Sequence, residues 1–173
     1  MKYTEKLLQN ESFKNVQEAI SQWEISRIYC HHELSHCMDV ARMAWIYFLE
    51  DCQKKHLFLE DLQLEEKKDF IYVCALLHDI GRAKQYETGI HHSVCGLELA
   101  ERMLLDIGAP ESWKAAVLRI VAGHHACDRS SDPEWKIADY IDRADHDCRP
   151  CFCCEGKDTC KWSREERNHT LVC

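Results

Sequence analysis

The amino-acid sequence predicts an all-α fold, and three observations carry that prediction. The 173 residues include only six glycines and three prolines, which leaves little material for the turns of a β-rich fold. Apolar residues recur at spacings of three and four along much of the chain, as on the buried face of a helix. The proportions of 46% hydrophobic and 30% charged residues are typical of a globular protein, and the length suits one domain rather than two.

The first two predicted helices lie in the N-terminal third of the chain. Residues 12–29 begin at Ser12, a candidate N-cap, and their apolar residues have helical spacing: Phe13, Val16, Ile20 and Trp23. Residues 31–52 are apolar on nearly every side and contain no glycine or proline, so we expect a central, mostly buried helix. His32 and His36 lie one turn apart on it, and His36 continues its apolar stripe.

The third predicted helix covers residues 59–81 and places His78 and Asp79 in its last turn or just beyond. Its apolar run FIYVCALL resembles a strand, but the whole segment is too long for one. Residues 82–90 are predicted to form a loop. Residues 91–108 form the next predicted helix, which opens near His92 and ends at a glycine.

Two further helices are predicted before the cysteine-rich tail begins. Pro110 suits the first turn of one, and its core-facing stripe ends at a histidine: Trp113, Val117, Ile120 and His124. Asp132 is a candidate N-cap for the other, whose stripe ends at an aspartate: Ile137, Ile141 and Asp145. We therefore predict a helical core at residues 1–147 and a short cysteine-rich tail at residues 148–173.

The composition also limits the partners of this protein. The sequence has no apolar stretch of signal-peptide length near its start and no segment approaching about 18 uncharged apolar residues, so we expect a cytoplasmic protein without a membrane partner. The net charge of −8 argues against a nonspecific nucleic-acid binder, which usually presents a basic face. Twelve cysteines without an export signal indicate reduced thiols or metal ligands rather than a disulfide framework.

Several histidines and aspartates end core-facing stripes on different predicted helices, or open a helix: His36, His78, Asp79, His92, His124 and Asp145. A single core histidine is most often satisfied by a carbonyl group and has no further role. Burying several ionisable groups together is costly unless they face one another or a cation. Imidazole and carboxylate are suitable ligands for first-row transition metals, so the joint pattern predicts a metal site.

Where two histidines are adjacent, the sequence does not decide which of them is the candidate ligand. His91 and His125 replace the adjacent histidines if the register shifts, whereas Asp139 and Asp142 fall off the stripe that ends at Asp145. His78 beside Asp79 can bind two ions, one through each side chain, or the carboxylate can bridge both.

The ordered motifs resemble those of the HD-domain superfamily of metal-dependent phosphohydrolases, over roughly residues 30–147. The resemblance rests on five segments in this order: HCMDVAR, LLHDIGR, HSVCG, GHH and RAD. It implies an all-α HD-domain helical bundle in which His36, His78, Asp79 and Asp145 hold a metal. His92 and His124 resemble the additional ligands of the six-ligand subgroup, which holds two metals, often iron, with Asp79 bridging them. That subgroup is similar to bacterial hydrolases that act on diadenosine tetraphosphate.

The resemblance implies cleavage of a phosphate ester or anhydride by a metal-bound hydroxide, with a nucleotide or dinucleoside polyphosphate as the substrate. The metal would be Fe, Mn, Co, Ni or Zn, because the ligands are rich in imidazole. In addition to Asp79, three cations next to the motifs are candidate catalytic residues: Arg82, Lys84 and Arg143. They either engage phosphate oxygens or are solvated surface charges. Two other functions remain open, a di-iron oxygenase on the same ligands and a noncatalytic metal or redox sensor.

The tail carries a second candidate metal site. Cys148 and Cys151 have the Cys-x-x-Cys spacing that lets two thiolates reach one ion, and Cys154 or Cys160 could complete a zinc site. An iron–sulfur cluster also needs thiolates. The remaining alternative is a set of reduced thiols without metal.

Overall fold

A computed structural model of the protein describes residues 1–123 and 133–172. Over these ranges the structure is helical and contains no β-strand, which confirms the predicted fold class. The helices are α1 (Lys2–Gln9), α2 (Glu11–Glu24), α3 (Leu34–Lys54), α4 (Asp61–Leu77), α5 (Arg82–Thr88), α6 (His92–Ile107), α7 (Glu111–Gly123) and α8 (Pro133–Asp147), and a 3₁₀ turn follows at Cys151–Cys153. No helix in the described ranges is long and apolar enough to cross a membrane.

Helix α4, rather than α3, is the central helix of the core. Every residue of α4 from Asp69 to Leu77 is buried, and the helix packs against α1, α3, α7 and α8. Helix α3 buries one face, but Ile46 and Leu49 on its other face are exposed. The expectation of a mostly buried second helix is therefore wrong. Apolar residues all round a helix permit burial, but the packing of its neighbours decides which faces are covered.

Helix α1 is held by a contact that no local pattern indicates. The buried carboxylate of Asp69 on α4 accepts hydrogen bonds from the backbone N–H groups of Tyr3 and Thr4, at 2.8 Å each, and from Thr4 Oγ1 at 2.6 Å. These are N–H groups of the first turn, which lack partners within their own helix. Asp69 therefore caps α1 across 65 residues of sequence.

The boundaries of α2 also differ from the prediction. The helix begins after Asn10, whose side chain accepts a hydrogen bond from Phe13 N at 3.0 Å, rather than at Ser12. It ends at Glu24 instead of continuing to residue 29, and the Glu24 carboxylate turns inward and accepts hydrogen bonds from His32. Trp23, predicted to face the core, is 53% exposed.

The segment predicted as a loop at residues 82–90 contains helix α5, which ends at Gly89 with a φ of 75°. A tight corner at Gly81 joins α4 to α5 and packs against the start of α6. A Cβ atom at Gly81 would lie 2.0 Å from the carbonyl oxygen of His92 and 2.6 Å from the nitrogen of Gly96. This corner carries His78 and Asp79, so its close packing sets the distance between them and α6.

Residues 148–172 pack back onto the helices. The buried Asn168 side chain donates hydrogen bonds to the carbonyl groups of His146 at 2.9 Å and Arg149 at 3.0 Å. The hydroxyl group of Tyr29, in the segment between α2 and α3, donates to Thr159 Oγ1 at 3.1 Å. The cysteine-rich segment therefore joins the end of α8 to the segment that precedes α3.

Candidate metal centre

Four of the predicted ligands meet in the interior. His36 comes from the first turn of α3, His78 and Asp79 from the corner after α4, and Asp145 from the last turn of α8. One ligand atom from each of these four buried residues lies within 4.8 Å of the others. Nε2 of His36 lies 3.0 Å from Oδ1 of Asp145, and Nε2 of His78 lies 3.5 Å from Oδ2 of Asp79.

His92, the first residue of α6, extends this cluster on the other side of Asp79. Its Nε2 atom lies 3.2 Å from Oδ1 of Asp79, whereas His78 faces Oδ2 of the same carboxylate. Asp79 therefore lies between His92 and the other three residues of the cluster. His124, the sixth predicted ligand, lies outside the described residues, as does His125.

The Nδ1 atoms of the three histidines all contact fixed partners. Nδ1 of His78 lies 2.6 Å from the carbonyl oxygen of Ala75, and Nδ1 of His92 lies 2.9 Å from Oε1 of Gln85. Nδ1 of His36 lies 3.4 Å from Sγ of Cys148. A partner that accepts from Nδ1–H fixes the ring and leaves Nε2 as the ligand atom. All three rings thus direct Nε2 toward the carboxylates.

The protonation states fit metal binding. Complete burial lowers the pKa of His78, which favours the neutral imidazole. Burial alone would raise the pKa of Asp145, but the contact with His36 and the positive charge of Arg149 outweigh it and hold that pKa well below its usual range. Neutral imidazole and ionised carboxylate are the forms that ligate a cation. The donor set therefore fits one or two transition-metal ions.

Each aspartate of the cluster is also held by an arginine. Arg82 donates from Nε to Oδ1 of Asp79 at 3.0 Å. Arg149, which is 8% exposed, donates to the Asp145 carboxylate and, from Nε, to the Asp145 carbonyl oxygen at 2.7 Å. Sequence analysis missed Arg149 because it lies beyond the predicted core. Its position four residues after Asp145, one helical turn away, was the available signal.

The other residues named from the sequence occupy different positions. Lys84 is exposed on α5. Arg143 pairs with Asp147 at 3.2 Å and lies over the ring of Tyr47, 3.8 Å from its centroid. His91 is exposed and caps α6, so the structure places His92 in the cluster.

A cleft of about 820 Å³ opens beside Asp145. Its walls come from residues 27–32, α5 and residues 159–162, and four cationic side chains line it: Arg27, Arg82, Arg149 and Lys161. Asp145 is the single acidic residue among the lining residues that the structure describes. Arg27 pairs with Glu24, and the other two arginines pair with the aspartates of the cluster. Lys161 has no ion pair within the described residues, so its charge favours an anionic ligand at the cleft.

The cysteines of the tail have separate environments. The thiol of Cys148 donates to the Asp145 carbonyl oxygen at 3.4 Å and faces His36, and burial raises its pKa to about 12. Cys154 instead contacts the carbonyl oxygen of Ile28, with Sγ at 3.8 Å. The ten cysteines in the described ranges are free thiols. A zinc site at Cys148, Cys151, Cys154 and Cys160 stays a prediction.

Two known proteins are similar to this chain in sequence. The chain is 32% identical over 150 residues to an uncharacterised protein of Clostridium beijerinckii, which covers 87% of this chain and 85% of the other. It is 31% identical over 106 residues to ribonuclease Y 1 of Pediococcus pentosaceus, but that match covers 61% of this chain and only 16% of the ribonuclease.

The crystal structure of a predicted HD superfamily hydrolase from an uncultured Thermotogales bacterium matches with a TM-score of 0.52 and 25% sequence identity. The match covers 78% of this chain and 64% of that one, so this chain spans less than two thirds of the crystallised protein. The sequence model of the HD domain matches residues 33–147, the range that supplies every histidine and aspartate of the cluster. The chain belongs to the HD-domain family.

Proposed function

We propose that this protein is a metal-dependent phosphohydrolase that cleaves a phosphate ester or anhydride of a small substrate. The observation that carries the proposal is the position of the buried cluster. Its ligands are oriented by fixed partners, and it adjoins a cleft whose charged lining is mostly cationic. The similarity to an HD superfamily hydrolase supports the same class of reaction.

The cluster offers donors for two ions. His36, His78, Asp79 and Asp145 would hold the first. Asp79 and His92 would hold the second. The resemblance of the sequence implies His124 as a further ligand, and His124 lies outside the described residues. Transition metals such as Fe, Mn, Co, Ni or Zn supply a nucleophile by lowering the pKa of a coordinated water, and they neutralise charge on the phosphoryl oxygens.

The arginines of the site have a separate task. A guanidinium group has five N–H donors in a rigid fork. Arg82 holds Asp79 through one nitrogen and Arg149 holds Asp145 through two. Both arginines line the cleft, so their further N–H donors can bind phosphate oxygens. In this role they would orient the substrate and stabilise the negative charge of the transition state.

The test combines metal analysis with turnover. Purified protein is assayed on phosphate esters and anhydrides with Mn²⁺, Fe²⁺, Co²⁺ or Ni²⁺, with and without a chelator. Asp145→Asn should lose metal and activity together. Asp139→Asn, which changes an exposed aspartate on the same helix, should retain both. Full metal content and turnover in Asp145→Asn would contradict the proposal.

The same assays separate the competing functions. Turnover of phosphate substrates without oxygen supports hydrolysis, whereas a strict need for oxygen favours a di-iron oxygenase. Metal binding without turnover of any substrate favours a sensor. A single-stranded RNA belongs in the panel because one relative is named a ribonuclease. We expect small substrates to be preferred, given the net charge of −8.

A further inference from the structure

The cysteine-rich segment after α8 is fixed against the rest of the protein. Gly156 packs so closely on the segment before α3 that a Cβ atom there would lie 2.8 Å from the ring of Tyr29. The Tyr29 hydroxyl group binds Thr159, and the buried Asn168 ties the segment to the end of α8. Residues 156–168 are therefore attached on both sides of the cleft-lining residues 159–162.

This segment contributes a continuous part of the cleft lining. Thr159, Cys160, Lys161 and Trp162 all line the cleft that adjoins Asp145. Lys161 is exposed and forms no ion pair within the described part of the chain, so its ammonium group can meet an anion from the cleft. The other three cations of the lining belong to other parts of the chain: Arg27 follows α2, Arg82 lies in α5 and Arg149 follows α8.

Aromatic side chains accompany these cations. Tyr29, Tyr86 and Trp162 line the same cleft. The Trp162 ring stacks on the His146 ring, with centroids 5.2 Å apart and planes 16° apart, and the Arg149 guanidinium lies 5.2 Å from its centroid. Both contacts fix the orientation of the indole ring. A cleft that combines fixed aromatic rings with cations fits a ligand with a planar ring and phosphate groups.

The size of the cleft agrees with such a ligand. Pockets that enclose small organic ligands have volumes of roughly 300–1,000 Å³, and this cleft measures about 820 Å³. A single phosphate group would leave most of it empty. The non-reacting part of the substrate therefore has space beside the metal cluster, against residues 159–162.

We infer that residues 159–162 of the C-terminal segment form the wall of the cleft that recognises the non-reacting part of a nucleotide. In this wall, Lys161 binds a phosphate and Trp162 binds the base. The inference rests on the proposed function, because it names the substrate class of the same site. Lys161 and Trp162 are specificity-determining residues and take no part in bond cleavage.

The first test separates binding from chemistry by kinetics. Lys161→Ala should raise KM for a nucleoside diphosphate about tenfold, as expected for one charged hydrogen bond, with kcat changed less than twofold. Glycerol 3-phosphate, which has no phosphate besides the reacting one, should show a smaller rise. The matched control is Lys157→Ala, which removes an exposed lysine of the same segment that does not line the cleft. An unchanged KM in Lys161→Ala would overturn the inference.

The second test needs no turnover. Cys160 lines the cleft, whereas Cys153 is exposed in the same segment and does not. Bound AMP should slow alkylation of Cys160 in the intact protein and leave Cys153 unaffected, as mapped by mass spectrometry. Trp162→Leu should abolish this protection and Trp162→Phe should retain it. If AMP gives Cys160 no protection, or inorganic phosphate protects it equally, recognition of a base by this wall is refuted.

The two proposals fail in different ways. Protection of Cys160 by AMP without turnover of any phosphate substrate would support the nucleotide-binding wall and contradict the phosphohydrolase. Turnover with unchanged KM in Lys161→Ala and no protection of Cys160 would support the phosphohydrolase and contradict the wall.

Discussion

At the scale of single residues, the proposed second ion depends on the contact between Asp79 and His92. The two oxygens of Asp79 face different histidines, His78 at 3.5 Å and His92 at 3.2 Å. In the proposed two-ion site, Asp79 would contribute to both ions, whereas His92 would contribute only to the second. Binding of a second ion would therefore depend on residues outside the four-residue cluster, among them His92.

We expect His92→Ala to lose one of two bound ions and to keep the other, as measured by metal analysis after gel filtration. The reason is that His36, His78, Asp79 and Asp145 retain their positions. His91→Ala is the control, since His91 is adjacent, exposed and outside the cluster. Equal metal content in His92→Ala and the wild type would rule out a second site at His92.

A buried carboxylate outside the metal cluster should control stability in acid. Glu24 is 1% exposed, and it accepts hydrogen bonds from Nδ1 of His32 at 2.6 Å and from the hydroxyl group of Tyr86. Burial alone would raise its pKa, but these hydrogen bonds lower it from 4.5 to about 2. Because the pKa is lower in the folded state, ionised Glu24 stabilises the fold above pH 4.5, and this contribution is lost as the pH falls toward 2.

Glu24→Gln should therefore reduce the free energy of unfolding at pH 7 by up to about 3 kcal/mol. This limit is the lowering of the Glu24 pKa converted at roughly 1.4 kcal/mol per pKa unit. The difference in unfolding free energy between this variant and the wild type should shrink as the pH is lowered from about 5 toward about 2, a range that includes the ordinary and the lowered pKa of Glu24. Urea unfolding at a series of pH values measures both effects. Glu18→Gln, an exposed position on the same helix, should change little. A difference that does not depend on pH would contradict the assignment.

At the scale of the elements, the corner between α4 and α5 couples packing to the metal centre. Gly81 contacts the backbone of α6 so closely that any Cβ atom must displace that helix. The residues on either side of this contact, Asp79 and His92, belong to the cluster. A displacement of α6 therefore changes the distance between two ligands.

Gly81→Ala should lower the free energy of unfolding by about 1–3 kcal/mol, the usual cost of overpacking, and should also lower metal retention. Gly96→Ala is a graded comparison, because its closest contact, at 2.9 Å, is with a Val121 methyl group, which can move. Thermal unfolding and metal analysis on both variants test the prediction. Equal losses in the two variants would show that backbone contact at Gly81 has no special effect.

At the scale of the whole molecule, the candidate metal centre joins elements that are distant in sequence. Its residues come from α3, the corner after α4, the start of α6 and the end of α8. An ion that binds only the folded state stabilises it in proportion to the logarithm of its concentration above Kd. Metal content should therefore control the stability of the entire helical core.

We expect a chelator to lower the melting temperature of the purified protein and Mn²⁺ to restore it. A stabilisation of about 3 kcal/mol follows when the free ion is at a hundred times its Kd. Differential scanning calorimetry measures the shift. Asp145→Asn should show a smaller shift than the wild type, and identical shifts in the two proteins would place the stabilising ion elsewhere.

The sequence by itself determined the fold class, and it named five residues that the structure brings together in the candidate metal centre. Helical spacing can be recognised from residues three and four positions apart. The apolar stripes also indicate which ionisable side chains become buried, at a free-energy cost unless they meet one another or a cation: His36, His78, Asp79, His92 and Asp145. The apolar periodicity also located α3, α4, α6, α7 and α8. These features depend on residues that are close together along the chain.

Tertiary structure decided the features that depend on contacts between distant residues. The cap on α1 comes from Asp69, and the corner at Gly81 exists because α6 packs against it. The cleft wall at residues 159–162 is attached to Tyr29, about 130 residues earlier in the chain. Apolar spacing specifies which face of a helix is buried but not which partner covers it. Only the packed chain could therefore bring Arg149 and the cysteine-rich segment to the metal centre.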